Sequence, residues 1–187
     1  MHAALRTAVL LVSLSIVYSP AARAQANPDW HRAIPGFRIA GSLYYVGTAD
    51  LAVYLVTTPQ GNILINTGVG DTAQQIGKSV EQLGFKLSDT RILTATHGHY
   101  DHVAGLAELK RVTGARLIVS EPDRPLLESG GKADFGFGSS PGAQFEPVKV
   151  DELVASLVRI GREQFASLED HASRAAMQAS ASWEMLG

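Results

Sequence analysis

The sequence contains no cysteine, so disulfide bonds cannot stabilise the protein. It also lacks a surplus of positive charge, because 16 Lys and Arg stand against 18 Asp and Glu, for a formal net charge of −2. Nucleic-acid binding through the phosphate backbone needs such a surplus, so no nucleic-acid partner is expected. Apolar residues make up 45% of the 187 positions and charged residues 18%, which is typical of globular proteins and excludes a disordered chain. This balance favours a site for a small molecule.

Long hydrophobic runs are also missing. The most apolar stretch, Ala8–Tyr18, spans 11 residues, whereas a membrane-spanning helix needs about 20. This stretch follows Arg6 and precedes a Pro20 breaker and an Ala22-Arg23-Ala24 cleavage pattern. Residues 1–24 are therefore predicted to be a cleaved secretory signal peptide rather than an anchor. The protein should be exported to the periplasm without a lasting membrane association, and it must rely on its core or on a bound metal for stability.

The mature chain shows the alternation of an α/β protein. Short β-branched and aromatic runs predict an antiparallel meander, and two amphipathic runs predict helices that alternate with further strands. The predicted strands cover residues 43–46, 51–57, 62–65, 91–95 and 116–120, and the predicted helices cover residues 72–83 and 102–113. A capping box at Asp71 should begin the first helix, Asp101 should cap the second, and Gly114 should end it. This order indicates helices packed on a mixed sheet.

Two regions follow the last predicted strand. Residues 129–142 contain five glycines without the spacing of a phosphate-binding loop, which predicts a plain loop lying over or beside another part of the molecule. From Asp151 onward, Leu153 and later apolar residues fit a helical stripe, so residues 152–187 are predicted to form a helical tail of unknown role.

The density of metal-ligating residues is highest between the strand at 91–95 and the second helix. His97, His99, Asp101 and His102 fall within six positions, and a cluster of three imidazoles is rarely structural. Alternate residues of an extended chain point to one side, so His97 and His99 should bind one ion together. Asp101 and His102 should face a second ion, with Asp101 serving both as helix cap and as ligand, and Gly98 should keep the backbone clear of the metal.

The remaining histidines of the mature chain do not join this cluster. His31 is isolated in the sequence and is expected to be solvated. His171 lies in a charged stretch of the predicted tail and is interpreted as a surface residue.

The sequence resembles the third subclass of class B metallo-β-lactamases. The resemblance is carried by the run His-x-His-x-Asp-His after a strand and by the flanking sequence from about Trp30 to Asp151. The resemblance implies an αββα sandwich and zinc-dependent hydrolysis of the β-lactam ring of penicillins, cephalosporins and carbapenems by a metal-bound hydroxide. It implies that His97 and His99 are two of three ligands of a first zinc ion. Asp101 and His102 would be two of three ligands of a second, and Asp101 would also orient the hydroxide as the catalytic residue.

The chain departs from this family in its second half. Members of the family have a third histidine ligand of the first zinc ion, in a Pro-Gly-His-Thr-like context. They also have a later histidine ligand of the second zinc ion. This sequence has no counterpart of either. The expected organisation is therefore a signal peptide at 1–24, the N-terminal half of the sandwich at 25–151 and the tail at 152–187, as in a truncated or rearranged member. Such a chain would hold one Zn²⁺ or none, where the family holds two.

Alternative functions follow from the same departure. A noncatalytic half-domain that binds zinc, with an uncovered apolar face through which a homodimer could form, is one alternative. A superfamily hydrolase of thioesters or lactones is another, since it would share the histidine motif.

Overall fold

The structure, a computed structural model, describes residues 27–154. The predicted signal peptide, His171 and most of the predicted tail lie outside the described residues. The helices are α1 (Ala73–Gln82), α2 (Tyr100–Val103), α3 (Leu106–Thr113) and α4 (Arg124–Glu128). The strands are β1 (Phe37–Ala40), β2 (Leu43–Tyr45), β3 (Tyr54–Val56), β4 (Asn62–Ile65), β5 (Thr90–Thr94), β6 (Arg116–Ser120) and β7 (Glu152–Val154).

These strands form one mixed sheet of seven strands in sequence order. Neighbours from β1 to β4 are antiparallel, which confirms the predicted meander, and neighbours from β4 to β7 are parallel. The α/β class is confirmed, with β4 and β6 at their predicted bounds. Within residues 27–154, no helix combines the length and apolar character that a membrane span requires.

The sheet has an apolar residue set on each face, as the two-residue period of a strand dictates. Leu64, Leu93 and Leu117 face the helices and join a core that includes Ile76 of α1 and Leu109 of α3. Alternate residues on the same strands, together with one residue of β7, form a second buried cluster on the other face. This cluster consists of Ile63, Ile92, Ile118 and Val154.

The second predicted helix is divided in the structure. It forms α2 and α3 with a break at Gly105, which packs so closely on Thr67 that a Cβ there would lie 3.2 Å from its backbone and side-chain atoms. The Gly105 N–H donates to the Thr67 hydroxyl instead of continuing one helix. The prediction that Asp101 caps the helix is wrong, since α2 begins at Tyr100 and Asp101 lies in its first turn. Val112, near the end of α3, is 61% exposed.

The start of α1 also differs from the capping box expected at Asp71. Thr72 precedes the helix, and its hydroxyl lies 2.5 Å from the carbonyl oxygen of Thr67 and 2.7 Å from that of Val69 rather than capping a helical N–H. Asp71 is exposed and contacts the Nδ1 atom of His31 at 3.0 Å. The Thr72 hydroxyl therefore stabilises the turn between β4 and α1.

The expectation of a helical tail from residue 152 is wrong for the residues that the structure describes. Glu152–Val154 form β7, which pairs in parallel with residues 118–120 of β6. Asp151 determines this register, because its backbone N–H donates to the Leu117 carbonyl at 3.0 Å and its carboxylate accepts the Leu117 N–H at 2.8 Å. These long-range hydrogen bonds override the helical spacing of Leu153 and its successors.

Asp151 also contacts the ammonium of Lys110 at 2.6 Å. Burial acts against the charged carboxylate, but the Lys110 ammonium and the Leu117 N–H prevail and hold the pKa of Asp151 below its ordinary value. Because its pKa is lower in the folded state, Asp151 stabilises the fold above the pKa of the unfolded chain. This contribution is lost as the pH falls through the lower, folded pKa.

We therefore expect Asp151→Asn to lower the free energy of unfolding by on the order of 1 kcal/mol at neutral pH, since hydrogen bonds to a charged group are lost. The difference from the unaltered protein should shrink below a pH of about 4, where carboxylates begin to protonate. Urea unfolding at several pH values measures this. Glu146→Gln, in an exposed pair with Arg111, is the matched control and should have no measurable effect. Equal stability of Asp151→Asn and the unaltered protein at neutral pH would contradict the assignment.

Candidate metal centre

The histidine cluster lies where the parallel part of the sheet ends. The chain leaves β5 at Thr94, crosses residues 95–99 and enters α2 at Tyr100. The segments that follow β4 and β6 lie beside it, because the carboxyl ends of parallel strands meet at one edge of the sheet. This edge is the usual place for a site in an α/β protein.

Three of the predicted ligands come together. His97, Asp101 and His102 each present a ligand atom, and these atoms lie within 4.8 Å of one another. The His102 N–H donates to the carbonyl of His99 at 2.9 Å, and this turn brings the His102 ring to 4.1 Å from the His97 ring. The Asp101 carboxylate lies 3.4 Å from Nε2 of His102. Two imidazoles and a carboxylate form a donor set that suits zinc with an open coordination position.

His99 lies at the edge of this group. Its ring packs edge-on against the His97 ring at 4.7 Å, while its Nε2 atom lies 3.3 Å from the carboxylate of Asp134. The arrangement differs from the expected division into His97 with His99 and Asp101 with His102. The difference arises because the first turn of α2 directs His102 towards His97, whereas His99 turns towards the glycine-rich loop. That His99 binds metal stays a prediction.

The electrostatics of His102 favour a neutral ring. Burial lowers its pKa, and the neighbouring His97 and His99 add to this effect, although the Asp101 carboxylate acts in the opposite direction. A metal ligand must offer a free imidazole lone pair, so the environment of His102 reduces the competition from protons.

Asn66 holds the start of the ligand segment and was missed in the sequence. Its side-chain oxygen accepts the Thr96 N–H at 2.9 Å and the Thr96 hydroxyl at 3.1 Å. The Thr96 hydroxyl in turn lies 3.2 Å from Nδ1 of His97. Asn66 has a positive φ of 64°, a conformation that Asn tolerates better than most residues. The signal for this role was a polar Asn placed directly after a buried strand.

Asp123 anchors the middle of the segment. One carboxylate oxygen accepts the Gly98 N–H at 2.8 Å, and the other accepts the Ser120 hydroxyl at 2.5 Å. A Cβ on Gly98 would lie 3.0–3.1 Å from side-chain atoms of Leu126 and Leu127. Gly98 is therefore required by packing against α4, and its role in keeping the backbone clear of a metal stays a prediction.

The glycine-rich loop of residues 129–142 lies beside the cluster. Phe137 packs edge-on against the His99 ring at 5.7 Å. A mostly apolar cavity of about 320 Å³ opens between this loop and the ligands, with Trp30, Phe137, Phe145 and Asp101 among its walls. His31 is half exposed and paired with Asp71, which agrees with its interpretation as a surface residue.

Comparisons with known proteins agree with this geometry. The sequence profile described as "Metallo-beta-lactamase superfamily" matches residues 51–176, past the residue at which we expected the resemblance to end. The class B3 di-zinc metallo-β-lactamase LRA-12 from an Alaskan soil metagenome is 50% identical, with a TM-score of 0.67, over 69% of this chain and 48% of its own. The FEZ-1 metallo-β-lactamase of Legionella gormanii is 46% identical, with a TM-score of 0.65, over 66% of this chain and 47% of its own.

A hydroxyacylglutathione hydrolase of Bradyrhizobium sp. (strain ORS 278) is 33% identical over 118 residues, which cover 59% of this chain and 42% of that protein. The chain thus spans slightly less than half the length of each of these relatives.

Two substitutions of Asn66 separate the contribution of its hydrogen bonds to stability from that of its backbone conformation. Asn66→Gly loses the bonds to Thr96 but tolerates the positive φ, so we expect a loss of about 1 kcal/mol in the free energy of unfolding. Asn66→Ala adds the strain of the left-handed conformation and should lose about 2 kcal/mol.

Asn66→Asp keeps the accepting oxygen but loses the amide N–H that donates to the Ala52 carbonyl at 3.3 Å and buries a charge, so its loss should be at least that of Asn66→Gly. Urea unfolding of the three variants measures the series. An alanine variant as stable as the glycine variant would contradict the role of the backbone conformation.

Proposed function

We propose that this chain, which belongs to the metallo-β-lactamase superfamily, is a zinc-dependent metallo-hydrolase that opens β-lactam rings. The observation that carries the proposal is the grouping of His97, Asp101 and His102 at the carboxyl edge of the parallel strands. The 50% identity with a class B3 β-lactamase over 69% of the chain supports the β-lactam as substrate. Because the chain spans less than half of that relative, the activity of the whole relative is carried over as a proposal.

The residues of the chain have distinct roles in this proposal. His97, Asp101 and His102 hold the metal, and His99 adds a fourth donor beside them. When bound, zinc supplies a Lewis acid that activates water near neutral pH and polarises a carbonyl group. Asp101 lines the apolar cavity, where its carboxylate would accept a hydrogen bond from the attacking water and orient it towards the substrate carbonyl. Trp30, Phe137 and Phe145 exclude bulk water and contact apolar parts of the substrate.

Thioester hydrolysis is the second candidate. It is favoured by the 33% identity with the hydroxyacylglutathione hydrolase, since the same activated water would attack a thioester carbonyl. A chain that binds zinc without turning over either substrate is the third candidate, as expected if four donors of this chain hold the ion without a competent site.

Location and assembly are part of the proposal. The signal-peptide pattern of residues 1–24 supports export to the periplasm. A homodimer stays a prediction, which sedimentation of the purified protein would test.

The function is tested by the loss of a carbapenem's ultraviolet absorbance on incubation with the purified protein and zinc, with and without a chelator. We expect chelator-sensitive turnover, and a fall of roughly 100-fold or more in kcat for Asp101→Asn, because a group that orients the water and holds the metal is altered. Asp71→Asn removes the same charge at an exposed position and should retain full activity.

A glutathione thioester is assayed in parallel. Turnover of the thioester alone would replace the β-lactamase assignment by the second candidate. Zinc retained through dialysis without turnover of either substrate would leave the noncatalytic candidate.

A further inference from the structure

Asp134, in the glycine-rich loop, is buried beside the histidine cluster. The proposed function gives this acid no role. Its side chain is only 8% exposed. The Oδ1 atom accepts the N–H of Gly136 at 2.7 Å and that of Phe137 at 2.9 Å. These two bonds hold the carboxylate in one orientation. Both N–H donors favour the charged form of the side chain, and an ordinary aspartate is a carboxylate at neutral pH.

The second oxygen of Asp134 is not needed by the loop. While Oδ1 satisfies both backbone donors, Oδ2 points at the cluster and lies 3.3 Å from Nε2 of His99. At this distance the two groups are in polar contact, and a carboxylate, which can only accept a hydrogen, favours the tautomer of His99 that carries its proton on Nε2. That tautomer leaves the lone pair on Nδ1, the other ring nitrogen.

The same loop limits rotation of the His99 ring. Phe137, whose N–H binds Oδ1 of Asp134, packs edge-on against this ring at 5.7 Å, and His97 packs against it at 4.7 Å. The ring is thus contacted by an aromatic ring, an imidazole and a carboxylate. One short segment of the loop supplies two of the three contacts.

We propose that Asp134 is a positioning residue that selects the Nε2–H tautomer of His99 and thereby presents Nδ1 as a zinc ligand; the inference rests on the zinc site of the proposed function. Carboxylates that accept the second ring N–H of a ligating histidine orient the ring and raise its basicity. His99 would then join His97, Asp101 and His102, at the edge of whose group it lies.

Asp134→Asn separates this role from the loop structure. The amide oxygen can still accept the N–H groups of Gly136 and Phe137, so the loop should be retained. The amide NH₂ would face Nε2 of His99 as a donor and favour the opposite tautomer, whose proton on Nδ1 blocks the proposed ligand atom. Asp134→Ala removes both the acceptor for the loop N–H groups and the contact with His99. Its effect therefore shows how much the structure of the loop depends on Asp134.

The first measurement is the long-range ¹H–¹⁵N NMR spectrum of the imidazoles in the metal-free full chain at a pH of about 8, where histidines are mostly neutral. We expect His99 as the Nε2–H tautomer in the unaltered protein and a shift towards Nδ1–H in Asp134→Asn. The second is zinc affinity by competition with a chromophoric chelator, with an expected loss of roughly 10- to 100-fold for Asp134→Asn. Thermal unfolding should be nearly unchanged in this variant.

Asp71→Asn is the matched control, because it makes the same change in an exposed carboxylate–imidazole pair with His31. It should alter neither the His99 tautomer nor the zinc affinity. An unchanged tautomer together with unchanged zinc affinity in Asp134→Asn would overturn the role of Asp134 while leaving the zinc site intact. Failure of the unaltered protein to bind zinc would overturn the proposed function instead, and the tautomer in the metal-free protein would still report whether Asp134 acts on His99.

Discussion

The candidate site depends on the hydrogen bonds that hold residues 96–98 at the carboxyl edge of the sheet. Asn66, which follows β4, binds Thr96, and Asp123, which follows β6, binds the N–H of Gly98. The segment itself follows β5, so three parallel strands each contribute to the same short stretch of backbone. Ligand side chains on an unsupported loop would sample many conformations, and ordering them on binding would cost affinity. Here the conformational entropy of this segment is lost when the protein folds, not when it binds an ion.

The site also divides its acids by environment. Asp101 lies among the imidazoles, where a carboxylate can act as a ligand and contact substrate, whereas Asp123 and Asp134 accept backbone N–H groups and shape the surrounding loops. An acid held by backbone donors keeps its orientation without a metal. A centre built this way keeps its geometry independently of a bound ion.

Sequence patterns predicted the fold class, the meander and the positions of β4 and β6 because hydrophobic alternation is a local property. The errors share a different cause. Gly105 interrupts the second helix because it meets Thr67, and Asp151 converts an apparent helix start into β7 by binding Leu117. In each case a residue distant in sequence supplies the contact, and no periodicity within a short window reports it.

The sequence by itself determined which chemistry is available, since four ligand-type residues within six positions after a strand leave few alternatives to a metal. Tertiary structure alone decided how these residues are grouped. The first turn of α2 brings His102 to His97, and the glycine-rich loop brings Asp134 to His99. Donor identity is encoded in the local sequence. Donor direction depends on the local turn at α2 and on packing against segments distant in sequence, such as the glycine-rich loop, where the free energies of many weak contacts are summed.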